Sequence, residues 1–450
     1  MIKLYTTTRA RIEESPHARR FLGGAAWSVG GAVVSSGLTL VTMIFIARML
    51  GKETYGQFIV VQSTLGMVGV FAGFGIGTTA TRYVAELRSR DSGRLAHILA
   101  LTERSVLTFG LIATVVLALI SGFIASAALN SPSLSLPLSI AAFSVFFSAL
   151  DSYQKSILIG LEAMRAFAIG TIVGAAASVP VMLVLADMYG LNGVAGAMVV
   201  SALIQSGISR FQVASQLNRF AIRRETHGCL REWRVLRDFA LPALLGGLLV
   251  APAHWVCQAL LANTPNGYAE LAVLGVAMQW FNLVMFLPNI AGRVLLPILT
   301  EHFTSGDHGQ SAKVLKLAII SNLAVVIPAA LAIALSSPWI MLAYGAQFSD
   351  GSQSLILVIF IAVLVVGAMP VGQILTAGGR MWLGASMNFG WAMIYLGSAF
   401  LLAKHGAIGI VASLGIAYLG HSVWTGFYAF RHLSDLKTSQ INSAVITLVK

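Results

Sequence analysis

The chain has 450 residues, of which 57% are hydrophobic and only 10% are charged. Soluble domains carry roughly 25% charged residues, so this composition excludes a soluble globular protein and indicates an integral membrane protein. The formal net charge of +12 does not indicate nucleic-acid binding, because the basic residues lie in short loops beside apolar segments and not in a basic domain.

Twelve apolar segments, each long enough to cross a bilayer as a helix, are predicted along the chain. Basic residues precede the first segment without a short apolar core and cleavage site, so we expect it to be retained as an uncleaved anchor. Six segments precede a basic loop and six follow it, which predicts an all-α integral membrane protein. The segments are 24–46, 57–79, 99–125, 137–158, 166–187, 191–213, 239–262, 269–296, 314–335, 353–376, 381–403 and 407–430.

The distribution of Lys and Arg predicts how these segments are oriented. If the N-terminus is cytoplasmic, only Arg48, Lys52 and Lys404 of the 29 basic residues fall in loops on the other side. Positive residues concentrate in cytoplasmic loops, so we expect both termini on the cytoplasmic side of the membrane. The predicted divisions are a cytoplasmic N-terminal segment 1–20, an N-lobe 21–213, a basic cytoplasmic linker 214–238, a C-lobe 239–432 and a cytoplasmic tail 433–450.

The linker is predicted to contain a partly amphipathic surface helix over 219–237, with anionic lipid headgroups as its partner. No predicted extramembrane segment is large enough for a catalytic domain, so an enzyme is disfavoured. Cys229 and Cys257 are too few for a disulfide framework. His254 and Cys257 supply too few ligands for a metal site. We therefore expect no metal centre or other cofactor.

The two halves of the chain repeat each other. Three landmarks of the first half recur in the second at nearly one offset: Arg165 as Arg380, Glu86 as Glu301, and Gly190 as Gly406. In membrane proteins, internal repeats are typical of transporters whose substrate sites lie between the repeats. An even number of spans per half predicts a parallel repeat of two six-helix halves.

Polar residues follow one side of the eighth span. At about 100° per residue, Gln279, Asn282, Asn289 and Arg293 occupy an arc of roughly 80° on an otherwise apolar helix. Asn and Gln commonly bond to neighbouring membrane helices. Four aligned groups that end in a cation instead favour the lining of a cavity. The repeat does not reproduce this stripe.

Several other polar residues at or within spans are candidate site residues. Arg48, Arg82 and Arg104 lie at span ends, where snorkelling to headgroups is the common role, and as a group they are candidates for an anion site. His254 and Asp151 are candidates for coupling transport to ions or protons. A hydrogen-bonded structural histidine and a local ion pair are the plainer interpretations of those two residues.

Residues 47–58 read ARMLGKETYGQF. This resembles the A-R-x-L-G-x-x-x-Y-G-x-F signature of bacterial polysaccharide-exporting flippases, the O-antigen and exopolysaccharide translocases of the multidrug/oligosaccharidyl-lipid/polysaccharide superfamily. Further segments similar to that family are 75–86, 161–165, 190–195 and 239–242. The resemblance extends over residues 20–432. It implies two six-helix lobes around a central cavity that opens alternately to each side of the membrane.

The substrate implied by the resemblance is an undecaprenyl-diphosphate-linked oligosaccharide, moved from the inner to the outer leaflet for O-antigen, capsule or exopolysaccharide synthesis. Polymerases and glycosyltransferases of the same pathway are the implied partners. The expected contacts are Arg48, Arg82, Arg104 and Arg293 for the diphosphate or sugars, and Gln279, Asn282 and Asn289 for sugar hydroxyls.

Other classes of protein compete with this interpretation. A multidrug cation extruder of the same superfamily would use a membrane carboxylate, which the first and seventh spans lack. A lipid II flippase has two additional spans, and a major-facilitator symporter is matched only in part, at residues 90–94. A small-solute transporter of twelve-span architecture and a non-transporting scaffold for polysaccharide assembly remain open as alternatives.

Overall fold

The computed structural model describes residues 16–220, 222, 225, 228–304, 308–377 and 381–448. Within these ranges all regular secondary structure is helical. The helices are α1 Pro16–Leu50, α2 Lys52–Gly73, α3 Ile76–Leu87, α4 Ser92–Phe123, α5 Ser135–Gly160, α6 Met164–Arg219, α7 Leu241–Gly247, α8 Val250–Ala262, α9 Gly267–Thr304, α10 His308–Leu335, α11 Ser337–Tyr344, α12 Ser352–Ala377, α13 Met381–Leu402 and α14 Gly406–Leu448.

The helices follow the predicted apolar segments. In the described part of the chain, nine helical stretches are long and apolar enough to cross a membrane. Two of them each contain two predicted segments, because α6 breaks at Gly190 and the stretch Trp382–Tyr428 turns at Ala403–His405. The shorter helices α7 and α8 together occupy the seventh segment. The predicted all-α membrane fold is therefore confirmed.

Two predicted spans are interrupted. Helix α2 ends at Gly73, because Phe74 and Gly75 have φ angles of 42° and 64°, a left-handed conformation that cannot continue a right-handed helix. The following short helix α3 carries Arg82. The seventh span divides between α7 and α8, where Pro252 has no amide hydrogen to bond back across the break. The predicted segments 57–79 and 239–262 therefore each contain a helix break that their apolar composition does not reveal.

The linker after α6 is not the predicted surface helix. In its described residues, Cys229–Glu232 form a 3-10 turn and Leu236–Ala240 a π-helical turn. Cys229 is 1% exposed and packs against Ala100 and Leu101 of α4. The prediction is wrong for these residues, because burial of Cys229 against α4 favours short turns over one continuous surface helix, while Leu230 and Trp233 stay exposed.

Two compact units divide the chain. The N-unit contains the residues up to Leu50 and Val61–Leu248, and the C-unit contains Gly51–Val60 and Leu249–Lys450. In the N-unit, α6 packs against α1 and α5, and α5 packs against α3 and α4. In the C-unit, α12 packs against α9 and α10, and α14 packs against α12 and α13. The first turns of α2 therefore belong to the C-unit and its remainder to the N-unit.

Gly190 in the N-unit and Gly406 in the C-unit share an unusual backbone conformation. Their φ and ψ angles are 56° and −133° at Gly190, and 71° and −151° at Gly406. This region is open essentially only to glycine. Three residues later, a Cβ atom on Gly193 or Gly409 would lie 1.7 Å or 1.9 Å from a carbonyl oxygen of the preceding helix. The recurring pair Gly190 and Gly406 therefore lies at the same kind of turn between two helical segments, a helix reversal, in each unit.

The start of α2 packs tightly inside the C-unit. A Cβ atom on Gly56 would lie 1.7 Å from the carbonyl oxygen of Tyr268 in α9. Tyr55 is buried, and its ring centroid lies 6.0 Å from that of Phe348. Both Tyr55 and Gly56 belong to the signature at residues 47–58, so packing within the C-unit accounts for this part of the signature.

Candidate functional site

Arg82 is held on α3 by aromatic rings of the N-unit. Its guanidinium carbon lies 4.6 Å from the ring centroid of Phe239 and 5.6 Å from that of Tyr83. Its Nε atom is 3.9 Å from a carboxylate oxygen of Glu86, and its side chain is 54% exposed. Cation–π contacts at exposed sites contribute about 0.5–1 kcal/mol. The charge is thus positioned by the rings while it stays accessible.

The other two span-end arginines have different surroundings. Arg104 on α4 donates a hydrogen bond from Nη1 to the Sγ atom of buried Cys229, at 3.3 Å, and so joins α4 to the linker. Arg48 is exposed near the end of α1. Arg82 and Arg104 therefore contact different elements of the N-unit.

The polar residues of the eighth span lie on the continuous helix α9. Gln279 is half-buried, and its Oε1 atom accepts a hydrogen bond of 2.8 Å from the hydroxyl of Tyr344. Asn282 and Asn289 are exposed, and their spacing of seven places them on one side of the helix. The side chain of Arg293 lies outside the described residues. One amide of the stripe therefore bonds within the C-unit, while two asparagines are available to a ligand.

His254 lies in an aromatic cluster of the C-unit. Its ring centroid is 5.2 Å from that of Tyr395 and 5.7 Å from that of Trp391. Trp391 in turn lies 5.5 Å from Tyr418. These contacts join α8 to α13 and α14, so the cluster packs three helices together around the imidazole.

Asp151 lies in a buried polar cluster of the N-unit and is 9% exposed. One of its carboxylate oxygens is 2.7 Å from the Nζ atom of Lys155, and the other accepts a hydrogen bond of 2.6 Å from the hydroxyl of Ser209. Lys155 also donates to Oε1 of Gln205, at 3.4 Å. Because each charge has an opposite partner, the cluster is neutral and joins α5 to the second half of α6.

The structure also contains a polar cavity within the N-unit that was not predicted from the sequence. It has a volume of about 330 Å³, lies between α1, α5 and α6, and has Asp151 in its lining. Ser35, Thr39 and Thr42 of α1 contribute to it. Their spacing of four and three residues puts them on one helix face, so this periodicity was a signal of the cavity in the sequence.

A second polar cleft lies where α4 meets the linker. Its volume is about 510 Å³, and it is lined by Gly93, Arg94, His97, Gly228, Arg231 and Glu232. Arg94 donates to both carboxylate oxygens of Glu232, each at 3.2 Å. The carboxylate of Asp91 accepts from the Arg94 amide at 2.9 Å and caps α4. The partial symporter match at residues 90–94 is therefore the N-terminal cap of a helix.

The known proteins that this chain resembles in sequence are named for polysaccharide biosynthesis or export. The family model described as "Polysaccharide biosynthesis protein" matches residues 21–303. The EPS I polysaccharide export inner membrane protein EpsE of Ralstonia nicotianae is 26% identical over 420 residues, which cover 90% of this chain and 92% of that relative. The protein of the same name from Ralstonia solanacearum is also 26% identical, over 88% of this chain and 91% of its own length.

Solved structures of transporters share the fold. An inward-facing multidrug resistance MATE family transporter of the MOP superfamily has a TM-score of 0.74 at 14% identity, covering 92% of this chain and 99% of that chain. A MOP superfamily transporter from Pyrococcus furiosus has a TM-score of 0.68 at 14% identity, covering 95% and 98%. Because the family model spans residues 21–303, more than half of the chain, this protein belongs to the family of polysaccharide biosynthesis proteins, as the signature at residues 47–58 predicted.

Proposed function

We propose that this protein moves undecaprenyl-diphosphate-linked oligosaccharide repeat units from the cytoplasmic to the outer leaflet of the bacterial inner membrane by alternating access. The observation that carries the proposal is family membership over residues 21–303, with relatives named as polysaccharide export inner membrane proteins. The fold shared with MOP-superfamily transporters supports a transporter over an enzyme. O-antigen, capsule or exopolysaccharide is the final polymer.

The chemistry of such a cargo matches the candidate residues. A diphosphate carries concentrated negative charge, and arginine binds phosphate oxygens through two parallel hydrogen bonds. Arg82 is our first candidate for this contact, because its charge is both exposed and held over Phe239. Arg48, Arg104 and Arg293 are further candidates. The exposed amides of Asn282 and Asn289 suit sugar hydroxyls, while Gln279 first has to be released by Tyr344. The polyprenyl tail stays in lipid.

A multidrug cation extruder fits these residues less well. Neither α1 nor the pair α7–α8 contains a carboxylate, although an organic cation in the membrane requires a compensating negative charge. The buried carboxylate of Asp151 is already compensated by Lys155 at 2.7 Å. The candidate side chains therefore favour an anionic headgroup over an organic cation.

For coupling to an ion gradient, we propose Asp151 over His254. Its carboxylate joins α5 to α6 through Lys155 and Ser209, so an ion that competes for this carboxylate would loosen the two helices. The ring contacts of His254 with Tyr395 and Trp391 do not require a charge.

The proposed lipid and protein partners bind on the cytoplasmic side of the protein. Both termini and the linker lie on this side in our proposal. Arg94 and Arg231 border the cleft beside α4, where anionic lipid headgroups can bind basic side chains. The glycosyltransferases that complete the repeat unit and the polymerase that consumes it are the proposed pathway partners.

The proposal is tested by reconstituting the protein in liposomes with a lipid-linked oligosaccharide and measuring transfer between leaflets. We expect Arg82→Ala and Asn289→Ala each to lower the rate by about tenfold, since one lost charged or sugar contact is worth roughly 1.4 kcal/mol. Arg210→Ala is the matched control, because the Arg210 side chain is 67% exposed and is not a candidate substrate contact. It should transport at the wild-type rate.

Two outcomes of this experiment count against the proposal. If the wild-type protein moves no lipid, the flippase assignment is wrong and a scaffold role replaces it. If Arg82→Ala and Asn289→Ala are expressed normally and transport at full rate, these side chains have structural roles only.

A further inference from the structure

The polar cavity inside the N-unit has the size of a binding site for a small organic molecule. Its volume is about 330 Å³, and pockets for small ligands measure about 300–1,000 Å³. A bound metal ion needs much less room, since its ligands lie within about 2.6 Å. Serine and threonine are the most frequent lining residues, and methionine, valine and alanine provide the apolar part of the wall.

Several hydroxyl groups in the cavity lining are available to a ligand as hydrogen-bond acceptors and not as donors. Thr39, Thr42, Thr171 and Ser178 each donate their hydroxyl hydrogen to a carbonyl four residues earlier on the same helix, at 2.7–2.9 Å. A hydroxyl oxygen has two acceptor positions that remain usable when its hydrogen is engaged. A ligand with several hydroxyl donors complements such a wall.

Ser201 provides independent evidence of a ligand. This residue lines the cavity and is 8% exposed. Its hydroxyl is buried and has no hydrogen-bond partner among the described residues. A buried polar group left unpaired costs about 1–3 kcal/mol. A polar ligand in the cavity would satisfy this hydroxyl.

The charge of the cavity favours a neutral ligand. Asp151 is the one charged residue in its lining, and both carboxylate oxygens have partners, Lys155 at 2.7 Å and Ser209 at 2.6 Å. A cation would meet a negative charge that Lys155 has already compensated. An anion would meet the carboxylate itself, which repels it.

We infer that this cavity binds one neutral sugar ring of the transported oligosaccharide. The sugar hydroxyls donate to the threonine and serine oxygens and pair with Ser201, and Met43, Met182 and Met198 cover the C–H faces of the ring with flexible apolar surface. This inference rests on the proposed function. It adds a carbohydrate site within a single unit, separate from the arginines assigned to the diphosphate.

Binding is tested by the reactivity of Ser148→Cys, at an exposed position of the cavity lining, toward a small methanethiosulfonate reagent in the purified full-length protein. The native Cys229 and Cys257 are both buried, so the background is measured on the wild-type chain. Glucose or N-acetylglucosamine at ten times its dissociation constant should slow labelling by about tenfold, because the free fraction of sites falls by that factor. Ser152→Cys, exposed on α5 and outside the cavity lining, should label without protection.

The result that supports the inference is protection of Ser148→Cys by neutral sugars alone. Protection by sodium chloride alone would identify an ion site and overturn it. An unreactive Ser148→Cys, or labelling that no solute slows, would equally overturn it, since the cavity would then hold no exchangeable ligand.

A transport assay distinguishes two errors: a wrong assignment of the sugar site and a wrong assignment of the protein as a flippase. Ser148→Leu places apolar bulk in the cavity lining, and Ser152→Leu makes the same change one helical turn later, outside it. We expect the first variant to lose at least half of the lipid-linked oligosaccharide transfer and the second to retain it. Equal transfer by both variants refutes the sugar site alone, whereas no transfer by the wild type refutes the flippase.

Discussion

Gly56 shows at the scale of one residue what the signature at residues 47–58 does. The Tyr268 carbonyl oxygen occupies the position that a Cβ atom on Gly56 would need, at a separation of 1.7 Å. Neighbouring Lys52 places its Nζ atom 2.6 Å and 2.7 Å from the two carboxylate oxygens of Asp350. Close packing in the C-unit therefore accounts for this part of the sequence pattern of α2.

We expect Gly56→Ala to destabilise the protein by about 1–3 kcal/mol, because the methyl group forces α2 away from α9. Gly66→Ala is the matched control on the same helix, since a Cβ atom there would meet nothing within 4 Å. It should be neutral or stabilising by up to about 1 kcal/mol. Thermal unfolding in detergent measures both changes. Equal melting temperatures for the two variants would show that this contact is absent.

At the scale of whole elements, most helices could be predicted from the sequence and several local features could not. A span needs about 20 apolar residues, so composition alone locates it. The break after Gly73 depends on the single conformation of Phe74, which the apolar run conceals. The fold of the linker depends on Cys229 packing against α4, a contact between distant parts of the chain.

The candidate site was predicted less completely than the fold. The amide of Gln279 was assigned to a stripe, but its bond to Tyr344 depends on α11, which lies far along the sequence. The cavity of the N-unit is lined by small hydroxyl residues from three helices. Such residues are common in membrane helices as packing and hydrogen-bonding groups, so the spacing on α1 indicates a polar face, and only the folded chain shows that three helices meet there.

The two helix reversals predict which glycines can be replaced. Gly190→Ala should cost about 1–3 kcal/mol from backbone strain alone, since a Cβ atom there meets nothing within 4 Å. Gly406→Ala should cost more, because its Cβ atom would also lie 2.4 Å from a carboxylate oxygen of Glu270. That carboxylate accepts from the Ala407 amide at 2.7 Å.

Gly196→Ala is the control for these reversals, because Gly196 lies within α6 and has open space around it. Chemical denaturation of the purified variants should rank them as Gly196→Ala most stable, then Gly190→Ala, then Gly406→Ala. Loss of stability in Gly196→Ala equal to that of Gly190→Ala would contradict the strain explanation.

At the scale of the whole molecule, the C-unit is assembled from two separate parts of the chain. Residues 51–60 precede most of the N-unit in sequence, yet they pack with residues from 249 onward. The linker is therefore not a boundary between two self-sufficient halves. A polypeptide that begins after the linker lacks an integral part of its own unit.

We predict that residues 228–450, produced as a separate chain, accumulate poorly unless residues 1–227 are co-expressed. The partner chain supplies Tyr55 and Gly56, which cover Phe348 and Tyr268. Immunoblots of membrane fractions measure the abundance of each chain. If the 1–227 chain carries Gly56→Leu, its co-expression should no longer raise the abundance of the 228–450 chain. If it carries Gly66→Leu, the abundance should still rise. Full abundance of the second chain by itself would contradict the prediction.

Because α2 is shared between the two units, its first turns must wait for their C-unit partners to be synthesised. Lys52 and Asp350 are 298 positions apart, and a ribosome adds about 5–20 residues per second, so Lys52 is synthesised roughly 15–60 s before its partner. During that interval the first turns of α2 lack the partners that Lys52 and Tyr55 have in the folded C-unit. We therefore expect the yield of folded protein to depend on how long this segment waits for its partners, as well as on the final stability.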